Sequence, residues 1–403
     1  MKIIKPARRA MLLALGALAL AFTFGAARGA QAADAYDIHV IVPMTGGASF
    51  VGLGQKASLE ALQEQVNKAG GIQGHPVNFI FHDDQTSPQV AVQLVTDVLA
   101  TKLAPAVVMG SSLVGMCAAM APLVNPNGPV DYCLSPAIHP AAGGYVFSAS
   151  SSSIDQIAAV VRYYRMKGWT KLATLMTTDA SGQDGDRAVD TVLAYPENKG
   201  MTKVIQEHFN PTDISVAAQI ANIKASGAQA MIAWTTGAPA ATVFKGMAQD
   251  GLDIPVAPTS GNQTFAAMAQ WESFLPKQLM LASALYPEHE GVLTLDPRME
   301  KAQHEMYAIL KAHNLRADNQ VATSWDAGSI VVASLRKLGP NATAAQLKDF
   351  IANLTDFAGV DGVYDFKKYP ERGLGPDGST VTTYDAATKS WKWLSKPGGE
   401  PLK

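Results

Sequence analysis

From residue 36 onward the chain alternates strand-like apolar runs with amphipathic helical stretches, and after a break at Ser148-Ala149-Ser150-Ser151 the alternation starts again. The first round reads as a strand over 36–43, a helix over 53–69 ended by Gly70-Gly71, and a strand over 76–82. A helix from Pro88 to about residue 101 follows, with Ser87 as its cap. A strand over 104–109, a helix after Gly110-Ser111-Ser112 and a strand over 130–134 complete the round. The second round places helices over 154–167, 186–194, 216–225 and 240–249 among strands over 171–176, 204–209, 230–234 and 256–258. A strand then follows residue 279, with helices over 298–313, 322–337 and 344–352 and a β-rich tail over 362–366, 381–385 and 390–394. Strands joined through helices by short links form parallel sheets covered on both faces. Two rounds predict an α/β chain of two doubly wound parallel-sheet lobes with a ligand cleft between them.

The first 32 residues stand apart. Lys2, Lys5, Arg8 and Arg9 precede an apolar run over 11–24, shorter than the about 20 residues a spanning helix needs. Ala30-Gln31-Ala32 then offers a small-x-small cleavage site. Residues 1–32 therefore read as a secretory signal peptide cut after Ala32, with an uncleaved anchor as the alternative. The expected destination is a bacterial periplasm. Of the 32 Lys and Arg, five lie in that leader, which leaves 27 against 34 acidic side chains. A mildly acidic body gives no reason to expect nucleic acid or an anionic membrane surface as partner. Two cysteines are too few for a disulfide-built miniprotein or a four-ligand metal site. In an oxidising compartment Cys117 and Cys133 can pair as a disulfide; two buried thiols are the other reading.

Ligands of doubly wound sheets sit beyond the carboxyl ends of the strands, and clefts between lobes favour small molecules. The loops over 44–54, 110–115, 135–140, 177–185, 235–239 and 259–264 are therefore the ones to inspect. The stretch Pro43-Met44-Thr45-Gly46-Gly47-Ala48-Ser49-Phe50-Val51-Gly52 resembles the opening loop of branched-chain amino-acid-type periplasmic binding proteins, the substrate-binding components of ABC transporters with the type I two-lobed fold. Asn67-Lys68-Ala69-Gly70-Gly71-Ile72-Gln73-Gly74, Asp83-Asp84-Gln85-Thr86-Ser87-Pro88 and Gly110-Ser111-Ser112 agree, and the element order matches over nearly all of 36–395. The resemblance implies three hinge crossovers, near 147–150, 279–285 and 357–363. Lobe 1 is then 36–148 plus 283–356, and lobe 2 is 149–282 plus 357–403. It also implies lobe closure around the ligand and recognition of the closed form by a membrane permease.

In the amino-acid-binding members, the ligand carboxylate meets backbone N–H and hydroxyl groups of the first lobe. The matching positions here are Ser111, Ser112, Ala137 and His139, and exposed N–H groups at helix starts are good anion receptors. His139 stands where those members carry Thr; a ligand contact and a packing role are both open. The Glu that holds the ammonium in those members falls at Ser260, and the aromatic positions fall near Ser181 and Thr236-Gly237. A buried ammonium without a counter-charge is costly, so a zwitterion is disfavoured unless Asp179 or Asp184 supplies the charge. Ser49, Phe50, Ser181, Thr236, Ser260 and Asn262 suit a carboxylate on a neutral body, and some members of the family bind benzoate-like aromatic acids. For Phe50 and Trp234, core packing stands beside ligand contact.

Catalytic patterns are absent or poor. Gly52-Leu53-Gly54-Gln55-Lys56-Ala57 fits a dinucleotide fingerprint, but Gly52 lies nine residues beyond Pro43, too far for a tight strand-to-helix turn. His82-Asp83-Asp84 is a poor metal site, because neighbouring strand residues point apart. No nucleophile elbow, zinc helix or P-loop occurs. The expected function is therefore non-enzymatic: a monomeric, cofactor-free and metal-free solute-binding protein with a small carboxylate and a permease as partners. A branched-chain amino-acid binder, a sensing module of the same fold and an exported amidase or hydrolase remain as alternatives.

Overall fold

The computed structural model describes residues 33–402 apart from 102–104, 126 and 289–290. The expected signal peptide lies outside the described residues. The first sheet is built from β1 (Tyr36–Val42), β2 (Val77–Asp83), β3 (Val107–Gly110), β4 (Val130–Cys133) and β5 (Val146–Ser148). All its pairs are parallel, in the order β2-β1-β3-β4-β5. Helices α1 (Ser49–Lys68), α2 (Pro88–Leu99) and α3 (Val114–Val124) connect the strands. Successive residues of β1 serve opposite faces: Ile38, Val40 and Val42 enter one apolar cluster and Ile41 another. Ile41 shares its cluster with Cys117 and Cys133. Those cysteines form a disulfide that ties α3 to β4.

The second sheet has β6 (Lys171–Thr177), β7 (Thr202–Phe209), β8 (Ala230–Ala233) and β9 (Val256–Pro258), parallel in the order β7-β6-β8-β9. Its helices are α4 (Ser153–Met166), α5 (Ala180–Leu193), α6 (Ala217–Ala225), α7 (Ala238–Asp250) and α8 (Phe265–Trp271). Both sheets have the strand order of a doubly wound fold. The chain then returns through β10 (Leu281–Ser283), α9 (Pro297–Ala312), α10 (Asn319–Leu338) and α11 (Ala344–Ala352). It ends in the hairpin β11 (Phe357–Ala358)–β12 (Val363–Tyr364) and in β13 (Thr380–Asp385) and β14 (Ser390–Trp393), which extend β10 antiparallel.

Helix α10 packs on α1 in the first lobe. Gly328 permits the approach: a Cβ there would lie 2.7 Å from Leu62 and 2.8 Å from Leu59. Gly52 does the same inside α1, where a Cβ would fall 2.1 Å from the Pro43 carbonyl oxygen. The glycine pair that mimics a dinucleotide fingerprint thus lies within the first turns of a helix seated on a strand end.

The third crossover differs from expectation. Val360, Tyr364, Phe366 and Leu374 belong to the first lobe's core, with Tyr132 and Phe147. The Phe147 and Phe366 rings stand 5.9 Å apart. Asp326 of α10 anchors the hairpin by accepting from the Val360 and Asp361 N–H groups and the Tyr364 hydroxyl, at 2.8 to 2.9 Å. The segment over 357–374 therefore completes lobe 1 rather than lobe 2, because its apolar side chains and its anchor are both there. The chain crosses only between Leu374 and Thr380, since Val381 lies in the second lobe's core. Arg372 pins that crossing to the first one: it is buried and donates to the Ser148 hydroxyl and to the carbonyls of Ser150 and Ile138.

Candidate functional site

A cavity of about 430 Å³ lies between the lobes, within the usual range for small-ligand sites. Its first-lobe wall is the start of α3, Ser112 to Met116, with Leu134 to Ala137 after β4. The opposing wall is Asp179 to Ser181 at the start of α5, Trp234 to Thr236 after β8, and Thr259 and Gly261 after β9. Asn319 and Gln320, at the start of α10, close it. The loops are the ones at the carboxyl ends of the strands, as the doubly wound topology requires.

Helix caps set the wall's electrostatics. At the start of α3, Leu113 occupies the cap position and offers no side-chain acceptor. A helix start of this kind presents N–H donors and a partial positive charge. At α5, Asp179 is the cap, and its Oδ1 accepts from Ser181 N and Gly182 N, each at 3.1 Å, and from the Thr177 hydroxyl at 2.7 Å. Asp179 is the one charged residue among those lining the cavity. At α10, Asp318 accepts from Gln320 N and Val321 N, and from Phe265 N of the second lobe at 3.3 Å. Burial raises its carboxyl to about 6 against those three bonds.

A chain of amides links the walls. The Ser112 hydroxyl donates to Gln55, the Gln55 amide to Gln320 at 2.9 Å, and the Gln320 amide to the Gly261 carbonyl at 2.9 Å. Gly237 brings the lobes close elsewhere. Its φ is +83°, its N–H donates to Asn262, and a Cβ there would lie 2.6 Å from the Gly47 carbonyl oxygen of the first lobe. Three buried polar atoms around the cavity have no partner among the described residues: Trp234 Nε1, Ser260 Oγ and Asn319 Oδ1. Such orphans are uncommon in folded proteins.

Of the positions singled out in the sequence, Ser112, Ala137, Ser181 and Thr236 line the cavity. Ser111 lies behind the wall, fully buried, with its hydroxyl on Asp84. Ser260 and Asn262 are also buried behind it; the Asn262 amide braces the Thr235 and Thr259 carbonyls. Ser49 starts α1 outside the wall. Phe50 reaches across to the second lobe and meets Trp271 edge-on at 5.9 Å. His139 is not in the wall: its Nε2 pairs with Asp184 Oδ1 at 2.7 Å. Asp184 does not line the cavity and its Oδ1 is held by His139, so Asp179 alone remains of the two acids considered for an ammonium. Gln320, Asn319, Met116 and Thr259 were not foreseen from the sequence. For Gln320 the signal was present, because Asp318, two positions before it, is a cap residue. Among the described residues no three His, Cys, Asp or Glu side chains converge as a metal site would require.

Comparisons with known proteins agree with this architecture. A Leu/Ile/Val-binding protein homologue from Brucella melitensis is 26% identical over 223 residues, 53% of this chain and 58% of the relative's length. A type 1 periplasmic binding protein from Bordetella pertussis has a TM-score of 0.76 at 19% identity, over 92% of this chain and all of that one. A branched-chain amino acid transporter substrate-binding protein from Streptococcus pneumoniae, solved with isoleucine, has a TM-score of 0.72 at 16% identity, over 89% of this chain and 98% of that one. A fatty acid ABC transporter substrate-binding protein from Thermomonospora curvata has a TM-score of 0.75 at 17% identity, over 90% of this chain and 92% of that one. The periplasmic binding protein family matches residues 36–388, and the chain belongs to that family.

Proposed function

We propose that the protein is the periplasmic solute-binding component of an ABC importer, which closes its lobes on a small carboxylate with a neutral, aromatic or aliphatic body and presents it to a membrane permease. The observation that carries this reading is the asymmetry of the cavity. The first-lobe wall has an uncapped helix start, whose free N–H groups are a receptor for an anion, while the neighbouring Ser112 hydroxyl already donates to Gln55. The second-lobe wall carries hydroxyls, the unpaired indole N–H of Trp234, and one carboxylate whose Oδ1 already holds three donors. Met116, Leu134, Pro136 and Pro211 supply apolar surface for the body.

One observation favours a second reading. Asp179 Oδ2 has no bond to a described residue, and an amino acid's ammonium would find its counter-charge there. The relatives solved or named with branched-chain amino acids fit that alternative, and the fatty-acid relative fits the first. A thermal-shift screen with benzoate, octanoate, leucine and phenylalanine separates them. A ligand at about 100 times its dissociation constant adds roughly 2.7 kcal/mol. Stabilisation by the acids, unaltered in Asp179→Asn, is the expected result. Stabilisation by the amino acids alone, lost in Asp179→Asn, would overturn it.

A further inference from the structure

We propose that the protein carries a second small-molecule site, outside the solute cavity, that takes a flat amphipathic anion: an aromatic ring system bearing a carboxylate or sulfonate. The site is a cleft of about 820 Å³ between α9 and β14, inside the usual range for ligand pockets. It shares no lining residue with the solute cavity. The chain over 316–320 divides the two: Arg316 and Ala317 line the second cleft, Asn319 and Gln320 the first. Asp318 lies between them, its carboxylate accepting from Phe265 N, Gln320 N and Val321 N.

The walls come from different lobes. Leu310 of α9 belongs to the first lobe's core, and Trp391 of β14 packs in the second lobe. Two hydrogen bonds span the gap. The Trp393 indole N–H donates to the Glu288 carbonyl at 3.1 Å, and Arg316 Nη2 donates to the Lys389 carbonyl at 2.6 Å. Pro287 and Glu288 line the cleft just after the chain has crossed back to the first lobe's core at Tyr286. An occupant would therefore touch both lobes beside a crossing.

The chemistry divides into aromatic walls and a cationic rim. Phe265, Tyr307, Trp391 and Trp393 supply the ring surface, and the Phe265 and Trp391 rings stand tilted at 5.2 Å. Such surfaces favour another flat ring. Lys311, Arg316 and Lys392 are exposed at the cleft, against Glu288 as the one acid among its lining residues. None of the three cations makes an ion pair with a described residue. Asp318 and Asp385 lie within electrostatic reach of Arg316 and Lys392. Both acids are turned to backbone N–H groups, Asp385 to those of Ala387 and Thr388. Arg316 is already positioned: its guanidinium lies 3.6 Å over the Phe265 ring and is tied at one end to Lys389. A planar guanidinium fork matches a carboxylate or sulfonate. The rim thus selects an anion while the walls hold its rings; an uncharged molecule gains the walls alone.

The test uses the fluorescence of 8-anilinonaphthalene-1-sulfonate against that of N-phenyl-1-naphthylamine, the same ring system without the sulfonate. The sulfonate should bind saturably, one per chain, and about fivefold or more tighter than the uncharged probe, with the gap narrowing at about 1 M salt. Arg316→Gln should weaken the sulfonate about fivefold and leave the uncharged probe nearly unchanged. Ala308→Trp, at an exposed position on the cleft, should fill the site and remove both probes. Ser181→Trp, which fills the solute cavity instead, should leave the sulfonate in place. Circular dichroism checks that each variant folds. Equal affinity for the two probes, no saturable binding, sulfonate binding unaltered by Arg316→Gln, or sulfonate binding lost in Ser181→Trp and kept in Ala308→Trp overturns the second site. Such a failure leaves the solute-binding reading intact, because that reading concerns the other cavity and fails separately if no carboxylate or amino acid shifts the melting temperature.

Discussion

Gly237→Ala separates closure from folding. The substitution acts twice. A side chain at φ +83° and ψ −139° is strained in the folded protein, whether the lobes are open or closed, at a cost of about 1 to 3 kcal/mol, which lowers the melting temperature by a few degrees. The new methyl also meets the Gly47 carbonyl oxygen at 2.6 Å, where ordinary contact begins at 3.4 Å. That clash lies between the lobes, so it exists only when they are closed. Overpacking of this kind costs about 1 to 3 kcal/mol, or a loss of affinity between about fivefold and about 150-fold. Calorimetric titration with benzoate measures the affinity, and a thermal melt measures the strain. Gly47→Ala is the control. Its Cβ would stand 3.9 Å from Ala238, in normal contact, and its φ is not positive, so it should bind as the parent does. Unchanged affinity in Gly237→Ala, or an equal loss in Gly47→Ala, would refute the closure geometry.

Two further outcomes follow from buried groups. Asp131 lies within β4 with neither oxygen hydrogen-bonded among the described residues, and burial raises its carboxyl well above the usual range. A raised carboxyl contributes stability fully present below the unfolded value near about 4 and lost as pH rises through the folded value. Asp131→Asn should therefore be about neutral in acid and more stable than the parent by roughly 1 to 3 kcal/mol near neutrality; urea unfolding at both pH values checks it, and a parallel pH profile would contradict it. Replacing both Cys117 and Cys133 by Ala should cost roughly 3 kcal/mol on the chain-entropy account of a loop this size, read as a lower denaturation midpoint that added reductant leaves unchanged.

The two parallel sheets were legible because buried parallel strands are continuous apolar runs and the helices between them have their own period. The tail was not. Tyr364 and Phe366 look alike whichever lobe they complete; the hydrogen bonds to Asp326 decide it, and they connect residues over thirty positions apart. The loops after strands that the sequence singles out do surround the cavity, yet their side chains divide three ways. Ser112 and Thr236 face the cavity, Ser111 and Asn262 brace it from behind, and Phe50 and His139 bridge the lobes. Adjacent residues in a loop point in different directions, and sequence spacing does not resolve them. The starts of α5 and α10 were placed too late because apolar periodicity begins later than the helix does. The acidic caps Asp179 and Asp318 mark the true starts, and with them Gln320 and Ser181 join the wall.

The central claim is that the cavity recognises a carboxylate without requiring an amine. Calorimetric titration with matched pairs tests it most directly: isocaproate against leucine, and hydrocinnamate against phenylalanine, each pair differing only in the ammonium group. The account predicts that at least one acid binds and that its amino acid binds more weakly by about tenfold or more, the penalty of an ammonium left without a dedicated counter-charge. Binding of leucine or phenylalanine with no binding of the matched acids would contradict it and would make Asp179 the residue that selects the ligand.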